Sequence, residues 1–435
     1  MSAPADAGDA IPSFDVVDAT SAPEASDAPL GVELPPVVDA ERPLDASAPD
    51  AQDAMVAPAG DTLEVVVFRL PDNTPADAAV HLAGNVNGWN PADPALVLAP
   101  RAGGAWSLRL HGLAPGQRVE FKFTRGAWSN VERDDGGADI ANRVVTFDPA
   151  RPTVALYVER WADLAAPATT RSGSVSVLLG VAIPQLGTAR NVWIYRPPGY
   201  VGGTERYAVT YMFDAQNLFD ARTSSFGREW RVDEALEAAF YEGRLPGIIV
   251  VGVENSAQRG CEYNVFTGDP HPACSAGSAL GDETVAFLVD TLKPRIDREY
   301  RTLPDRTHTA VAGSSMGGSM AVRTAFLHPD VFSRVAALSP SYQNTLAATP
   351  QMPAFVAAQR PTLPFRFHQD VGDAEVIRDI PASVLVRNMN AVHDAARAAG
   401  VPDADDRARV VAGATHDEGA WSARIAEVLS WLWAP

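Results

Sequence analysis

The chain of 435 residues contains only two cysteines and two lysines, and it has no long apolar run. Its net charge is −19 and its basic residues form no stripe, so nucleic acid is not an expected partner. No apolar segment approaches the roughly 20 residues that cross a bilayer, so no transmembrane segment is expected. The length is sufficient for two domains and a tail.

The first 60 residues include 15 alanines, nine aspartates and nine prolines. Such a segment buries too little apolar surface to offset the entropy of ordering, so residues 1–60 are expected to be a disordered linker. The start lacks the basic and apolar regions of a signal peptide. The composition nevertheless resembles the tethers that follow the anchor cysteine of bacterial surface lipoproteins. We expect an extracellular or periplasmic protein, including a surface-tethered lipoprotein; a cytoplasmic protein is the alternative.

The two cysteines, Cys261 and Cys274, are separated by 13 positions in a segment rich in glycine and proline. A close and even pair of this kind predicts a disulfide, and two unrelated thiols are the alternative. No CxxC, HExxH or clustered His/Asp pattern occurs, so no metal site is expected. No cofactor is expected either.

Two regions with different patterns follow the linker. Residues 61–160 contain six or more short alternating segments separated by turn residues, which predicts a β-sandwich. From residue 174 to 435, seven strand-like segments, from RNVWIYRP to RARVVAG, are interspersed with helical patterns. This alternation is typical of an α/β domain with a doubly wound sheet.

A possible nucleophile lies within the α/β region, in the segment THTAVAGSSMGGSMAV. Residues 313–317, GSSMG, fit the pattern G-x-S-x-G between a strand-like and a helix-like run. In α/β-hydrolases this pattern is a tight strand-to-helix turn that exposes its serine, here Ser315. A glycine-rich connection with a capping serine is the alternative.

A serine nucleophile needs a base and an acid, which follow it in the chain order Ser, Asp/Glu, His in this architecture. His416 lies in a loop between the strand RARVVAG and the last helix, which is where the base is expected. For the acid, Glu375 is favoured over Asp373, because a short turn after Gly372 is needed to reach the imidazole. Asp370 is expected to lie within the preceding strand.

The oxyanion hole is expected to use the amide of Met316, the residue after the nucleophile, and an amide from an early loop. The segment YMFDAQNLFD supplies such a loop, with Gln216 just after the strand.

Five blocks resemble the Putative esterase family: IPQLGTARNVWIYRPPGY, YMFDAQNLFD, FGREWRVDEAL, LKPRIDREYRTLPDRTHTAVAGSSMGGSMA and THDEGAW. That family includes enterochelin, feruloyl and acetylxylan esterases, S-formylglutathione hydrolases and mycolyltransferases. The resemblance covers about residues 174–435 and implies an α/β-hydrolase fold. It also implies the triad Ser315, Glu375 and His416, with main-chain donors at Gln216 and Met316. Relatives usually have glycine where Ala215 stands; if φ is positive there, alanine costs about 1 kcal/mol.

The β-rich region resembles starch- and glycogen-binding modules, which are immunoglobulin-like β-sandwiches, through VHLAGNVNGWNP, VEFKFTRGAW and ANR. Such modules stack sugar rings on exposed tryptophans. The resemblance implies a sugar site formed by Trp89, Lys122, Trp128 and Asn142, whereas Trp106 is expected in the core. A structural appendage that does not bind sugar is the alternative.

The sequence therefore predicts a serine carboxylic-ester hydrolase that acts on an acylated carbohydrate, such as an acetyl or feruloyl ester, with polysaccharide as an additional binding partner. The alternatives are a siderophore esterase, an acyltransferase, or a carbohydrate-binding protein with a vestigial hydrolase domain.

Overall fold

The computed structural model describes residues 60–101, 103–266, 271, 274, 279–346 and 348–434. Apart from Gly60, the predicted linker lies outside the described residues. The remainder has the mixed α/β character predicted from the sequence, with a β-rich N-terminal region followed by a large sheet flanked by helices.

The β-rich region contains nine short strands. Their bounds are β1 Leu63–Arg69, β2 His81–Gly84, β3 Ala99–Pro100, β4 Trp106–Leu110, β5 Arg118–Thr124, β6 Glu132–Arg133, β7 Arg143–Thr146, β8 Thr153–Tyr157 and β9 Arg160–Trp161. One sheet has the order β3-β4-β1-β8, another has the order β2-β5-β7, and β6 pairs with β9.

Both larger sheets of this region contribute side chains to one hydrophobic core. Val65 and Leu108 come from the four-stranded sheet, and Leu82 and Phe121 come from the three-stranded sheet. β5 alternates apolar and polar residues and buries one face, whereas β1 contains the apolar run VVVF and is buried on both faces. The immunoglobulin-like form of this region and the domain bounds at residues 61–160 and 174–435 stay predictions.

The second region has an eight-stranded sheet. The strands of this region are β10 Ser174–Ile183, β11 Thr188–Arg196, β12 Ala208–Phe213, β13 Ile248–Val253, β14 Thr309–Ser314, β15 Arg334–Leu338, β16 Arg366–Gly372, β17 Val376–Ile377, β18 Ile380–Pro381 and β19 Asp406–Val411. The sheet order is β10-β11-β13-β12-β14-β15-β16-β19, while β17 and β18 form a separate hairpin. The strands β13, β12, β14, β15, β16 and β19 pair in parallel, whereas β11 pairs antiparallel with both β10 and β13.

The sequence reading missed β10, whose segment SVSVLLGVAI contains a glycine and two exposed positions near its middle. These features obscure the alternation, and a register shift between Leu178 and Val181 marks the same place in the structure.

Helices lie on both faces of the large sheet. Their bounds are α1 Val232–Tyr241, α2 Arg259–Glu262, α3 Gly281–Ala286, α4 Lys293–Glu299, α5 Ser315–Leu327, α6 Met352–Ala358, α7 Ala382–Ala399 and α8 Glu418–Trp433. Successive residues of β14 face opposite sides, so Val311 packs in the core that includes α5 and Ala310 packs in the core that includes α1 and α8. This arrangement places the carboxyl ends of β14, β16 and β19 along one edge of the sheet.

The β-rich region packs against α1. Phe68 and Val66 of β1 share a buried cluster with Tyr241 of α1, and the rings of Phe68 and Tyr241 stack at 6.4 Å between centroids. Arg231 donates a hydrogen bond to the Tyr157 hydroxyl at 2.6 Å. The two regions therefore share apolar and polar contacts.

Four buried carboxyl groups lie at the start of α1 or on it: Glu229, Asp233, Glu234 and Glu237. The first three offer oxygens within 4.8 Å of one another. Burial and the neighbouring Glu234 raise the pKa of Glu229 to about 8, so protonation can relieve the repulsion between these groups. The expectation of no metal site stays a prediction.

The contact between the two regions leads to the first prediction. Phe68 is 6% exposed, so Phe68→Ala should lower the free energy of unfolding of the whole chain by about 3–5 kcal/mol, because it removes the ring that packs on Tyr241. Phe226→Ala, at a position that is 72% exposed, is the matched control. The measurement is thermal unfolding. An unchanged melting temperature of the α/β region in Phe68→Ala would contradict the shared packing.

The second prediction concerns pH. Burial raises the pKa of Glu237 to about 8 from its ordinary value of 4.5, although the Tyr195 hydroxyl donates to it at 3.0 Å. The folded state then binds the proton more tightly than the unfolded state, so this group's contribution to stability falls between pH 4.5 and about 8. Denaturant titrations across this range should show a weaker pH dependence for Glu237→Gln than for the unmodified chain. An equal pH dependence of stability in the two proteins would contradict the raised pKa of Glu237.

Candidate active site

Ser315 lies at the turn where β14 ends and α5 begins. Its φ is 53°, in the left-handed region that residues other than glycine adopt infrequently. A Cβ on Gly313 would lie 2.4 Å from the carbonyl oxygen of Gly317, and a Cβ on Gly317 would lie 3.0 Å from Asp214 Oδ2. Gly313 is therefore required for β14 and α5 to meet at this turn, and Gly317 leaves little room for a side chain. The turn has the form of a nucleophile elbow.

His416 lies in the loop between β19 and α8, next to Ser315. Its Nε2 is 3.0 Å from Ser315 Oγ, and its Nδ1 is 2.9 Å from Glu375 Oε2. The imidazole packs edge-on against Trp421, with 5.1 Å between ring centroids. The structure thus brings the three residues of the predicted triad together in a continuous chain of hydrogen-bonding groups.

Glu375, rather than Asp373 or Asp370, faces the imidazole. The Glu375 side chain is buried in the turn after β16, and its Oε1 accepts hydrogen bonds from the Gly372 amide at 2.6 Å and the Ser339 hydroxyl at 2.5 Å. Asp373 is exposed and accepts a hydrogen bond from the Gly413 amide at 2.6 Å. The turn after β16 therefore directs one carboxylate inward and the other toward solvent.

Asp370 lies within β16 and has a different set of partners. Its carboxylate contacts His368 Nε2 at 3.0 Å and accepts from Arg424 Nε at 3.0 Å. Burial raises the pKa of Asp370, but His368 and Arg424 have the larger combined effect and lower it below its ordinary value. Asp370 therefore serves as an ionised anchor for Arg424 of α8.

Ser339, at the end of β15, was missed by the sequence reading. It is buried, it has a φ of 47°, and its hydroxyl accepts hydrogen bonds from Trp421 Nε1 at 2.9 Å and Arg424 at 2.8 Å. Because these donors occupy its lone pairs, the hydroxyl proton points to Glu375. A serine after an apolar strand carries no signal of this role, which depends on residues 36 to 85 positions away.

The loop after β12 lies against the elbow. Asp214 has a φ of 63° and precedes a 3-10 turn, Ala215–Asn217, that contains Gln216. A Cβ on Gly317 would lie 3.2 Å from Phe213 Cβ, so the end of β12 and the start of α5 are in close contact. Amides in the first turn of a helix have no acceptor within the helix, and Met316 occupies that turn of α5.

The condition under which Ala215 would be unfavourable, a positive φ, is not met in the structure. The positive φ belongs to Asp214, while Ala215 is fully buried in the 3-10 turn. An alanine here fills space against Gly252, where a Cβ would lie 2.8 Å from Ala215 Cβ.

Asp214 is held by a partly buried ion pair that the sequence did not indicate. Arg259 of α2 donates from Nε and Nη2 to its two carboxylate oxygens, both at 2.8 Å, and Asn255 Nδ2 donates at 2.5 Å. These contacts support Asp214 in its left-handed conformation and so position the loop that carries Gln216.

A cavity of about 300 Å³ opens beside Ser315. Its walls include Met316 and Ser341, together with Arg259, His271 and Arg378. Ser341 Oγ lies 3.4 Å from Ser315 Oγ. The cavity is large enough for part of a small organic substrate.

Cys261, at the buried end of α2, and Cys274 are joined by a disulfide. The bridge connects the helix that carries Arg259 to the chain near His271, so it constrains two parts of the cavity wall.

Of the residues of the expected sugar site, Trp89 and Trp128 lie together, with ring centroids 6.4 Å apart and an angle of 38° between the planes. Trp128 is 45% exposed. Lys122 lies on β5, and the exposed Asn142 approaches Glu120, with Nδ2 3.5 Å from Oε2. The two tryptophans form an aromatic surface on the β-rich region, which is separate from the cavity at Ser315.

Comparison with known proteins identifies the α/β region. The sequence profile of the family described as "Putative esterase" matches residues 183–432, which is more than half of the chain. The chain belongs to the Putative esterase family.

The curated proteins that are similar to this chain match it only over limited segments. A protein named alpha-amylase from Niallia circulans is 46% identical over 100 residues, which are 22% of this chain and 8% of the amylase. An endo-1,4-beta-xylanase/feruloyl esterase from Xylanibacter ruminicola is 26% identical over 153 residues, which are 34% of this chain and 19% of that protein. The chain thus spans less than a fifth of the length of either relative.

Among solved structures, the enterochelin esterase from Shigella flexneri is similar with a TM-score of 0.47 and 16% identity, covering 86% of this chain and 92% of that one.

Within the described part of the chain, no helix has both the length and the apolar character needed to span a membrane.

The third prediction tests Ser315 and His416. Ser315→Ala and His416→Ala should each lower turnover of a simple aryl ester by roughly 10³-fold or more, and the double variant should be little worse than either one, because the groups act as a unit. Labelling by a fluorophosphonate probe should be lost in Ser315→Ala.

Glu375→Gln and Asp373→Asn form a matched pair of neutralising changes in the same loop. Glu375→Gln should reduce turnover strongly because it removes the acceptor of His416 Nδ1, whereas Asp373→Asn should change turnover no more than a few-fold. The reverse ranking would show that Asp373 is the acid.

Proposed function

We propose that this protein is a serine carboxylic-ester hydrolase with the triad Ser315, His416 and Glu375. The observation that carries this proposal is the chain of contacts from Ser315 Oγ through the imidazole to the buried carboxylate, at 3.0 and 2.9 Å. Membership of the Putative esterase family supports the same chemistry.

The first half of the reaction forms an acyl-enzyme. His416 Nε2 takes the proton of Ser315 as Oγ bonds to the ester carbonyl carbon, and Glu375 stabilises the resulting imidazolium. The carbonyl oxygen becomes an oxyanion that accepts hydrogen bonds from the amides of Gln216 and Met316. The carbon–oxygen bond to the alcohol then breaks, and His416 gives its proton to the leaving alcohol.

The second half releases the acid. A water molecule gives a proton to His416 and attacks the acyl carbon, and the bond to Ser315 Oγ breaks as the serine regains a proton from the imidazolium. Attack by a sugar hydroxyl in place of water would be acyl transfer. Product analysis with and without an added sugar acceptor separates the two reactions.

We propose an acylated carbohydrate as the substrate and an immunoglobulin-like, carbohydrate-binding sandwich as the form of the β-rich region. The adjacent tryptophans Trp89 and Trp128 offer the aromatic faces on which sugar rings stack, with Lys122 and Asn142 as hydrogen-bonding partners. The similarity to a protein named alpha-amylase supports carbohydrate binding, and the similarity to a xylanase/feruloyl esterase supports an ester of a plant polysaccharide. A hydrolysis screen with aryl, acetyl, feruloyl and siderophore esters tests this choice.

We also propose that the protein functions outside the cytoplasm. The disulfide between Cys261 and Cys274 supports this location, because disulfides persist mainly in oxidising compartments.

The fourth prediction separates sugar binding from catalysis. Trp128→Ala should lower kcat/KM about 2- to 10-fold on acetylated xylan, since one stacking surface is lost, and should leave turnover of 4-nitrophenyl acetate unchanged. Val144→Ala, at another exposed position of the β-rich region, is the control. Equal effects of Trp128→Ala on polymer and small ester, together with no binding of the chain to xylan, starch or glycogen, would contradict the carbohydrate proposal.

A further inference from the structure

The cavity beside Ser315 differs in charge from the rest of the protein. The chain carries a net charge of −19. The described residues that line the cavity nevertheless include two arginines, Arg259 and Arg378, and none of them is an aspartate or a glutamate. A positive cavity in an acidic protein favours a ligand of negative charge.

The two arginines have different partners. Arg259 forms a bidentate ion pair with Asp214, so the charges of that pair cancel locally. Arg378 donates to the carbonyl oxygen of Asn344 at 2.9 Å and to His271 Nε2 at 2.5 Å, and both partners are uncharged acceptors. Among the described residues, no carboxylate lies within ion-pair distance of Arg378. Its positive charge is therefore not compensated by that part of the protein.

His271 accepts from Arg378 through Nε2, so its ring proton is on Nδ1 and the ring is neutral. Partial burial and the nearby Arg378 and Arg259 lower the pKa of His271 below its ordinary value, which keeps the ring neutral at pH 7. The imidazole orients the guanidinium without changing the net positive charge of the cavity.

The position of Arg378 in the chain connects it to the catalytic machinery. It is the first residue of the two-residue turn between β17 and β18, a hairpin that begins directly after Glu375. Its φ is 55°, in a turn position where glycine is favoured. The backbone thus holds an exposed arginine at the mouth of the cavity in a conformation that is unfavourable for its residue type.

We propose that Arg378 is a specificity-determining residue that binds a carboxylate group carried by the ester substrate, an inference that rests on the proposed esterase function. The guanidinium uses two of its five N–H groups on Asn344 and His271, and the remaining ones offer the planar fork that pairs with carboxylate. The substrate class is an ester in which the acyl or the alcohol part is acidic. For an acylated carbohydrate, this class includes esters on polymers that contain uronic acids.

The test compares two matched pairs of small esters. For an acid in the alcohol part, the pair is 4-acetoxybenzoate and 4-acetoxybenzamide; for an acid in the acyl part, it is the 4-nitrophenyl monoester of adipic acid and its terminal amide. The unmodified full chain should show a higher kcat/KM for the carboxylate in at least one pair. That pair identifies the part of the substrate that faces Arg378.

Arg378→Gln should lower kcat/KM for the preferred carboxylate ester about 10- to 100-fold, mainly through a higher KM. The same variant should change kcat/KM for the matched amide less than about twofold. Arg378→Lys should retain part of the preference, because a point charge replaces the fork. Arg298→Gln removes an exposed positive charge from α4 and should preserve the full preference, which controls for net charge.

Two results would overturn the inference. One is an equal kcat/KM of the unmodified chain for the carboxylate and the amide in both pairs. The other is an equal loss of kcat/KM for the carboxylate and for its matched amide in Arg378→Gln. Either result, with normal fluorophosphonate labelling of Ser315, rejects the role of Arg378 and leaves the esterase proposal intact. If the unmodified chain neither reacts with the probe nor hydrolyses any of the four esters, the esterase proposal fails and this inference fails with it.

Discussion

The left-handed backbone of Ser315 is the constraint on which the rest of the site depends. A residue with a Cβ is unfavourable at a φ of 53°, by an amount on the order of 1–2 kcal/mol. The surrounding structure maintains it because β14 is paired on both sides and α5 packs into the core on one face of the sheet. With the backbone held in this way, the hydroxyl points away from the sheet edge toward His416.

A second set of interactions gives the imidazole its partner. Glu375 is buried and accepts from Ser339, whose hydroxyl also receives hydrogen bonds from Trp421 and Arg424 of α8. Arg424 is in turn paired with Asp370 of β16. The end of β15, the turn after β16 and the last helix are therefore linked through the carboxylate that faces His416. A network of this kind restricts the positions open to the His416 imidazole, and Glu375, Arg424 and Asp370 each have a partner within it.

The protein has two surfaces with different chemistry. At the carboxyl edge of the parallel strands lies a cavity whose described walls carry positive charge and no carboxylate. On the β-rich region lies the aromatic pair Trp89 and Trp128. The packing of Phe68 on Tyr241 connects this region to α1, so the aromatic surface is attached to the α/β region through side-chain contacts as well as through the chain. An attachment of this kind limits the range of distances between the aromatic surface and the cavity that a bound polymer would have to span.

The local signals of the sequence were sufficient for the α/β class and for the turn at Ser315, because these depend on short-range periodicity and on glycines at a tight turn. The catalytic roles of Ser315, Glu375 and His416 stay predictions. The local signals were insufficient for β10, whose glycine interrupts the alternation, and they did not indicate that Asp214 has a positive φ. The contacts of Ser339, the ion pair of Arg259 with Asp214 and the unpaired charge of Arg378 in the described structure came only from the fold. These contacts join residues that are 34 to 107 positions apart. Such relations arise from packing and sheet order rather than from any local pattern.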